Sequence, residues 1–96
     1  MEERDLIARL RDPSDNGPFE FLTVSGKRER FARLAVYGRE EGFECLYCLM
    51  QPFGNALLSP RVYCVAIGAD GDVYVALDDD PDTIARVNAL YRRGKR

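Results

Sequence analysis

The chain has 96 residues, of which 46% are hydrophobic and 31% charged, and its 14 basic and 16 acidic side chains give a formal charge of -2. This length fits one small domain, and the near balance of charge supplies no overall field toward nucleic acid or an anionic membrane. Histidine is absent, which removes the commonest metal ligand and any Ser-His or Cys-His pair within one chain. We therefore expect a protein that is not an enzyme, with no catalytic residue, metal, cofactor or small-molecule substrate.

The first 18 residues predict a short helix followed by a linker. Leu6, Ile7 and Leu10 form a narrow apolar stripe within residues 2–11, and Asp12-Pro13 ends the helix. The N-terminal residues are charged throughout and lack the apolar core of a signal peptide. No apolar run approaches the roughly 20 residues of a membrane span. These features favour a cytoplasmic protein that does not enter a membrane.

From Phe19 onward, apolar residues alternate with a period of two, which predicts five strands joined by hairpins. The Asp70-Gly71 pair predicts a type I′ turn between the last two strands. In the second strand Phe31 has odd parity, whereas Leu34 and Val36 have even parity. A β-bulge near residues 32 and 33 would place all three on the core face. The predicted strands are 19–24, 28–37, 43–51, 61–68 and 73–78.

The third and fourth strands are apolar at both parities, which indicates central strands covered on both faces. A C-terminal helix can cover one face. The N-terminal helix, closure of the sheet into a partial barrel, or a second copy of the chain could cover the other, and the sequence does not choose among them. A homodimer therefore remains one interpretation.

The C-terminal helix is predicted from Pro81 to Arg93, with Asp80 as its N-cap and Gly94 just beyond its end. Aspartates at 78, 79, 80 and 82 resemble a cation site. Their spacing differs from that of an EF-hand loop, and capping of the helix explains them better.

The segment "FECLYCLM" places Cys45 and Cys48 three residues apart. In a strand, side chains three apart point to opposite faces, so these two thiols cannot share a metal ion. We interpret Cys45, Cys48 and Cys64 as small buried residues with a packing role.

Two candidate binding surfaces remain. Arg28 and Arg30, together with Arg92 and Arg93, could form a basic surface for phosphate groups, although interleaved glutamates favour a solvated face. The long loop 52–60 contains Phe53, Leu57 and Leu58, which either cap the sheet or bind a partner.

The order of four segments resembles the domain of unknown function 1292 family (YrzB-like), small bacterial proteins. The segments are "FEFLTVSGKRERFARL", "GFECLYCLMQP", "VYCVAIGADGDVYVAL" and "DDDPDTIARVNALY". The resemblance covers about residues 19 to 91 and implies a fold layout and a cytoplasmic, non-enzymatic protein, without a catalytic residue. Where this chain has Cys45 and Cys48, the family more often has aromatic or aliphatic residues, which implies a packing role.

The sequence thus predicts an α+β fold: a five-stranded, twisted antiparallel β-meander with a C-terminal helix packed on it and a short N-terminal helix. Residues 1–18 form the N-terminal helix and linker, and residues 19–96 form a single domain. We expect a small protein-interaction module of the bacterial cytoplasm, whose partner is a second copy or another protein. The alternative is an accessory nucleic-acid-binding protein that uses its arginine-bearing surface, which we do not favour.

Overall fold

The structure is a computed structural model that describes residues 2–15, 17–54 and 58–94. Its elements follow the predicted order of helix, five strands and helix, and most ends agree with the prediction within a residue or two. The third strand is the exception, since it begins at Leu46 and not at Phe43. A short 3-10 turn and a left-handed Gly42 (φ 90°) precede it. The elements are α1 (Glu3–Arg11), β1 (Phe19–Thr23), β2 (Arg28–Tyr37), β3 (Leu46–Pro52), β4 (Arg61–Ile67), β5 (Val73–Leu77) and α2 (Pro81–Gly94).

The sheet closes into a five-stranded barrel in the order β1-β2-β3-β4-β5. Consecutive strands are antiparallel, as predicted, and a parallel pairing of β1 with β5 closes the meander, which the sequence left as one of three possibilities. An odd number of hairpin-linked strands leaves the first and last strands pointing the same way, so closure requires a parallel pair. This β1–β5 seam is short and joins Leu22 to Tyr74 and Thr23 to Val75.

A β-bulge interrupts β2, one residue beyond its predicted place. Arg33 lies opposite Met50 and Ala35 lies opposite Leu49, so Leu34 is the extra residue. Phe31 and Val36 pack with the barrel interior, as predicted, whereas Leu34 packs with the outer cluster. The prediction that Leu34 shares their face is wrong, because the bulge turns Leu34 and Ala35 to the same outer side.

The barrel interior is filled by aromatic and aliphatic side chains and sealed at one end by α1. Leu6 and Leu10 of this helix are 2% and 0% exposed and belong to the same core as the strands. The phenyl rings of Phe21 and Phe31 lie 6.1 Å apart, and the ring of Tyr63 meets that of Phe31 edge-on at 5.1 Å. The buried members are Leu6, Leu10, Phe19, Phe21, Phe31, Leu46, Cys48, Met50, Val65 and Val75.

Two arginines fix α1 against the barrel. The guanidinium of Arg33 donates hydrogen bonds to the carbonyls of Leu10 and Asp12, at the carboxyl end of the helix, and lies 5.0 Å from the Phe19 ring centroid. The guanidinium of Arg11 pairs with Glu40 at 2.8 Å and with Glu41 at 2.9 Å. Both arginines therefore act as links between α1 and the strands.

The outer faces of β2, β3 and β4 are covered by α2. Val87 of this helix is fully buried against a second cluster that includes Phe43, Leu49 and Val62. The structure thus confirms that β3 and β4 are apolar on both faces, with the closed barrel and α1 inside and α2 outside. None of the described helices is long and apolar enough to cross a membrane.

The β4–β5 hairpin uses a longer turn than predicted, in which the amide of Gly68 donates to the carbonyl of Asp72. The amide of Gly71 donates to the carbonyl of Gly68, and Gly71 alone has a positive φ, of 85°. A type I′ turn would also need a positive φ at Asp70, so that prediction is wrong. The side chain of Asp70 instead accepts hydrogen bonds from the amide of Asp72 and, at 2.6 Å, from the hydroxyl of Tyr74.

Replacement of Leu10 tests whether α1 is part of the barrel core. We expect Leu10→Ala to lower the free energy of unfolding by about 2–5 kcal/mol, because it leaves a cavity at a site with no exposure. Leu58→Ala is the matched control, since Leu58 is 46% exposed, and should change stability by about 0.5 kcal/mol or less. Urea denaturation measures both, and equal effects would contradict this role of α1.

Candidate functional site

Four large apolar side chains are exposed among the described residues, and all four lie at the same end of the barrel. Relative exposures are 81% for Val24, 55% for Phe53, 46% for Leu58 and 52% for Leu77. We call these four residues the apolar end. A cluster of this kind is more informative than single exposed apolar residues, which are normal on any protein surface.

Strand direction explains why these residues meet. β1, β3 and β5 end on this side of the barrel, and β2 and β4 begin there, so their connections gather at one rim. Val24 follows β1, Phe53 follows β3, Leu58 precedes β4, and Leu77 is the last residue of β5. Helix α1 seals the opposite end, where β3 begins and β2 ends. Helix α1 therefore does not cover the apolar end, and α2 lies beside it, where Ile84 and Asn88 line a cleft with Leu77.

Main-chain and side-chain hydrogen bonds hold the loop residues of the apolar end. The amide of Phe53 donates to the carbonyl of Arg30 at 2.9 Å, which places Phe53 beside β2. The side-chain amide of Gln51 donates to the carbonyl of Leu58 at 2.6 Å. These bonds give Phe53 and Leu58 defined positions. The third predicted loop residue, Leu57, lies outside the described residues.

Arg28 and Arg30 lie on the first part of β2, next to the apolar end. Both side chains are exposed, and Arg28 pairs loosely with Glu20, with the nearest atoms 3.4 Å apart. Arg61 begins β4 at the same rim and is also exposed. Sequence reasoning did not single out Arg61, Val24 or Leu77. The sequence signal that could have identified them is their position at the ends of strands that meet at this rim.

Arg92 and Arg93 are exposed in the last turn of α2. Their neighbour Tyr91 packs in the outer cluster with Tyr37, at the far end of β2 from Arg30. Seven residues of strand separate Arg30 from Tyr37, a span of about 20 Å. Among the described residues no ion pair or hydrogen bond links the two arginine pairs. The predicted basic residues thus form two separate groups.

Of the aspartates before α2, Asp80 caps the helix. The carboxylate of Asp80 accepts hydrogen bonds from the amide of Asp82 at 3.2 Å and from the hydroxyl of Thr83 at 2.9 Å. This is the predicted N-cap arrangement. Within residues 2–15, 17–54 and 58–94, no group of three or more Cys, Asp or Glu side chains could hold a metal ion.

The three thiols occupy three different environments. Cys48 is fully buried inside the barrel, Cys64 is partly buried, and Cys45 is exposed. The predicted alternation of Cys45 and Cys48 along one strand does not apply, because Cys45 lies outside β3. The interpretation of all three as buried packing residues is wrong for Cys45, because β3 starts only at Leu46 and leaves Cys45 in the turn before it.

Two clefts flank the amino-terminal half of α1. One has a volume of about 380 Å³ and is lined by residues that include Arg4, Arg11, Arg39 and Glu40. Of these cations, Arg11 is paired with Glu40 and Glu41. Both the charge pairing and the role of Arg11 in holding α1 indicate a structural joint.

Comparison of the chain with family models, with curated proteins and with solved structures finds no match in any of the three. The resemblance to the domain of unknown function 1292 family stays a prediction. Functional arguments therefore come from the geometry of this protein alone.

Burial of Cys48 makes stability sensitive to alkaline pH. Desolvation raises the pKa of this thiol from 9.0 to about 12. A pKa that is higher in the folded state gives stability that is complete below the unfolded value and is lost as pH rises toward 12. We expect the free energy of unfolding to fall by up to about 1.4 kcal/mol per pH unit per such thiol. Cys48→Ala should flatten this slope in urea titrations, and an unchanged slope would contradict the assignment.

Proposed function

We propose that this protein is a small, non-catalytic protein-interaction module that binds a partner protein through its apolar end. The observation that carries the proposal is the gathering of Val24, Phe53, Leu58 and Leu77 at the one rim that α1 leaves uncovered. Apolar side chains held at a rigid rim lose little freedom on binding, and the water they release favours association.

Charge around the apolar end suggests the chemistry of the partner. Arg28, Arg30 and Arg61 are exposed at the same rim, where Glu20 pairs loosely with Arg28 and where Asp78 and Asp79 follow Leu77. A partner with apolar side chains flanked by acidic residues would satisfy both features. Rim charges of this kind affect the rate of association and its salt dependence more than the final affinity.

The arrangement of the core supports a monomeric module. The predicted homodimer was motivated by a second apolar sheet face without a cover. Closure of the barrel and α1 supply that cover within one chain, and α2 covers the outer face of β2 to β4. The apolar end then offers the surface at which a second copy would compete with another partner.

Binding of nucleic acid is the alternative proposed from the sequence. Its basic residues lie in two groups about 20 Å apart, with Arg28 and Arg30 near the start of β2 and Arg92 and Arg93 on α2 near the end of β2. Single-stranded nucleic acid is usually held by a continuous basic groove with stacking rings. This comparison makes the protein partner the better-supported proposal.

The solution mass tests the monomeric part of the proposal. Light scattering behind size exclusion, over a wide range of concentrations, should give the mass of one chain, which is 10.9 kDa. A dimer that Leu77→Ser and Val24→Ser dissociate would instead identify a second copy as the occupant of the apolar end. A dimer unaffected by these changes would contradict the proposal.

Site-specific crosslinking tests the binding surface itself. A benzophenone amino acid at position 53, in the protein's own cells, should give one discrete crosslinked product with a second protein. The same amino acid at position 8, an exposed site on α1, is the control and should give none. Product at both positions, or at neither, would overturn the proposal.

Substitutions at the rim should then weaken the interaction with the crosslinked protein. Val24→Ser with Leu77→Ser should weaken binding at least about tenfold, because removal of central apolar contacts costs on the order of 1–2 kcal/mol. Arg28→Glu with Arg30→Glu should slow association and reduce its dependence on salt. All four side chains are exposed, so these variants should keep the unfolding midpoint of the parent protein.

A further inference from the structure

The outer face of β3 and β4 brings together two thiols that are far apart in the sequence. Tyr47 lies directly opposite Cys64 in the ladder, and Cys45 precedes Tyr47 by two residues. Cys45 lies one residue before β3, and it lines the same cleft as Cys64. Cys45 and Cys64 are therefore neighbours outside the barrel, away from Cys48 in the interior.

The two thiols are close enough to affect each other electrostatically. Burial is the first cause that raises the pKa of Cys64, followed by the charge of Cys45, a side-chain hydrogen bond with Cys45 and the nearby carboxylate of Asp78. Cys64 therefore stays protonated, while Cys45 is the exposed member of the pair.

Small molecules can reach this pair from solvent. Both cysteines line an open cleft of about 270 Å³ beside the amino-terminal half of α1. Cys45 also lines the cleft on the other side of that helix. An oxidant the size of a peroxide can therefore meet Cys45 without any unfolding of the barrel.

We propose that Cys45 and Cys64 form an oxidative modification site, at which a peroxide converts the two thiols into an intramolecular disulfide. The peroxide transfers one oxygen atom to the sulfur of Cys45, which becomes a sulfenic acid, and water leaves. The sulfur of Cys64 then attacks the sulfur of Cys45 and forms the S–S bond. The hydroxide expelled from Cys45 takes up the proton of Cys64 and leaves as a second water.

The backbone around Cys45 can accommodate this bond. A disulfide requires the two sulfurs to approach to about 2.05 Å, closer than a hydrogen bond. Cys64 is held in the middle of β4, but Cys45 lies in the bend before β3 and makes no ladder pairing. Cys45 can therefore move toward Cys64 while the strands keep their register.

Peptide mapping after mild oxidation tests the site. The folded, reduced protein is treated with hydrogen peroxide, the remaining thiols are alkylated under denaturing conditions, and chymotrypsin separates Cys45 from Cys48 by cleavage after Tyr47. We expect the peptides of Cys45 and Cys64 to be joined, with the loss of two hydrogen atoms from a chain that stays monomeric. Cys48, which has no exposure, should be alkylated as a free thiol and serves as the internal reference.

Single substitutions distinguish this disulfide from simple surface oxidation. In Cys64→Ala, Cys45 should accumulate as sulfinic acid or as a disulfide between two chains, and in Cys45→Ser, Cys64 should remain a free thiol. Cys45 is exposed, so Cys45→Ser should fold as the parent does. Free Cys64 in the oxidised parent protein, or a disulfide that includes Cys48 under native conditions, would overturn the proposal.

Discussion

Five strands joined by hairpins leave the first and last strands running in the same direction, so this sheet can close only through a parallel pair. That seam consists of two residue pairs, Leu22 with Tyr74 and Thr23 with Val75. So few ladder contacts do not hold a barrel by themselves. The interior aromatic side chains and the two buried leucines of α1 pack against all the strands, and their burial supplies the cohesion that the seam lacks. Sealing one end of the barrel in this way leaves the other end to carry the exposed apolar residues.

Local features of the fold were predictable, and features that depend on distant pairing were not. Alternation with a period of two located the strands, and the capping residues located α2, since both are set by neighbours in the chain. Closure depends on how β1 meets β5, which no local pattern records. The bulge in β2 was predictable only in part. The parity change between Phe31 and Val36 indicates that one extra residue is present, but the face on which Leu34 lies depends on where that residue is inserted.

The candidate sites also have parts that the local sequence predicts and parts that depend on distant pairing. Phe53 and Leu58 were recognisable as apolar residues in a long loop, and Arg28 and Arg30 as a basic pair. Their location at one rim of the barrel depends on strand direction, which only the folded chain shows. Cys45 and Cys64 come together only through the pairing of β3 with β4, so no local pattern in the sequence records their proximity. The short spacing of Cys45 and Cys48 suggested that these two thiols should be considered together, but Cys48 is buried inside the barrel.

The seam also has a consequence for the order in which the chain becomes structured during synthesis. Leu22 and Tyr74 are about fifty residues apart, and α1 packs against strands that follow it by a similar distance. Contacts between such distant residues require a costly loop closure before they contribute any stability. On the ribosome, α1 and the edge of β1 therefore stay unsatisfied until nearly the whole chain has emerged. A small protein of this topology spends most of its synthesis with its future core open to chaperones and to other nascent chains.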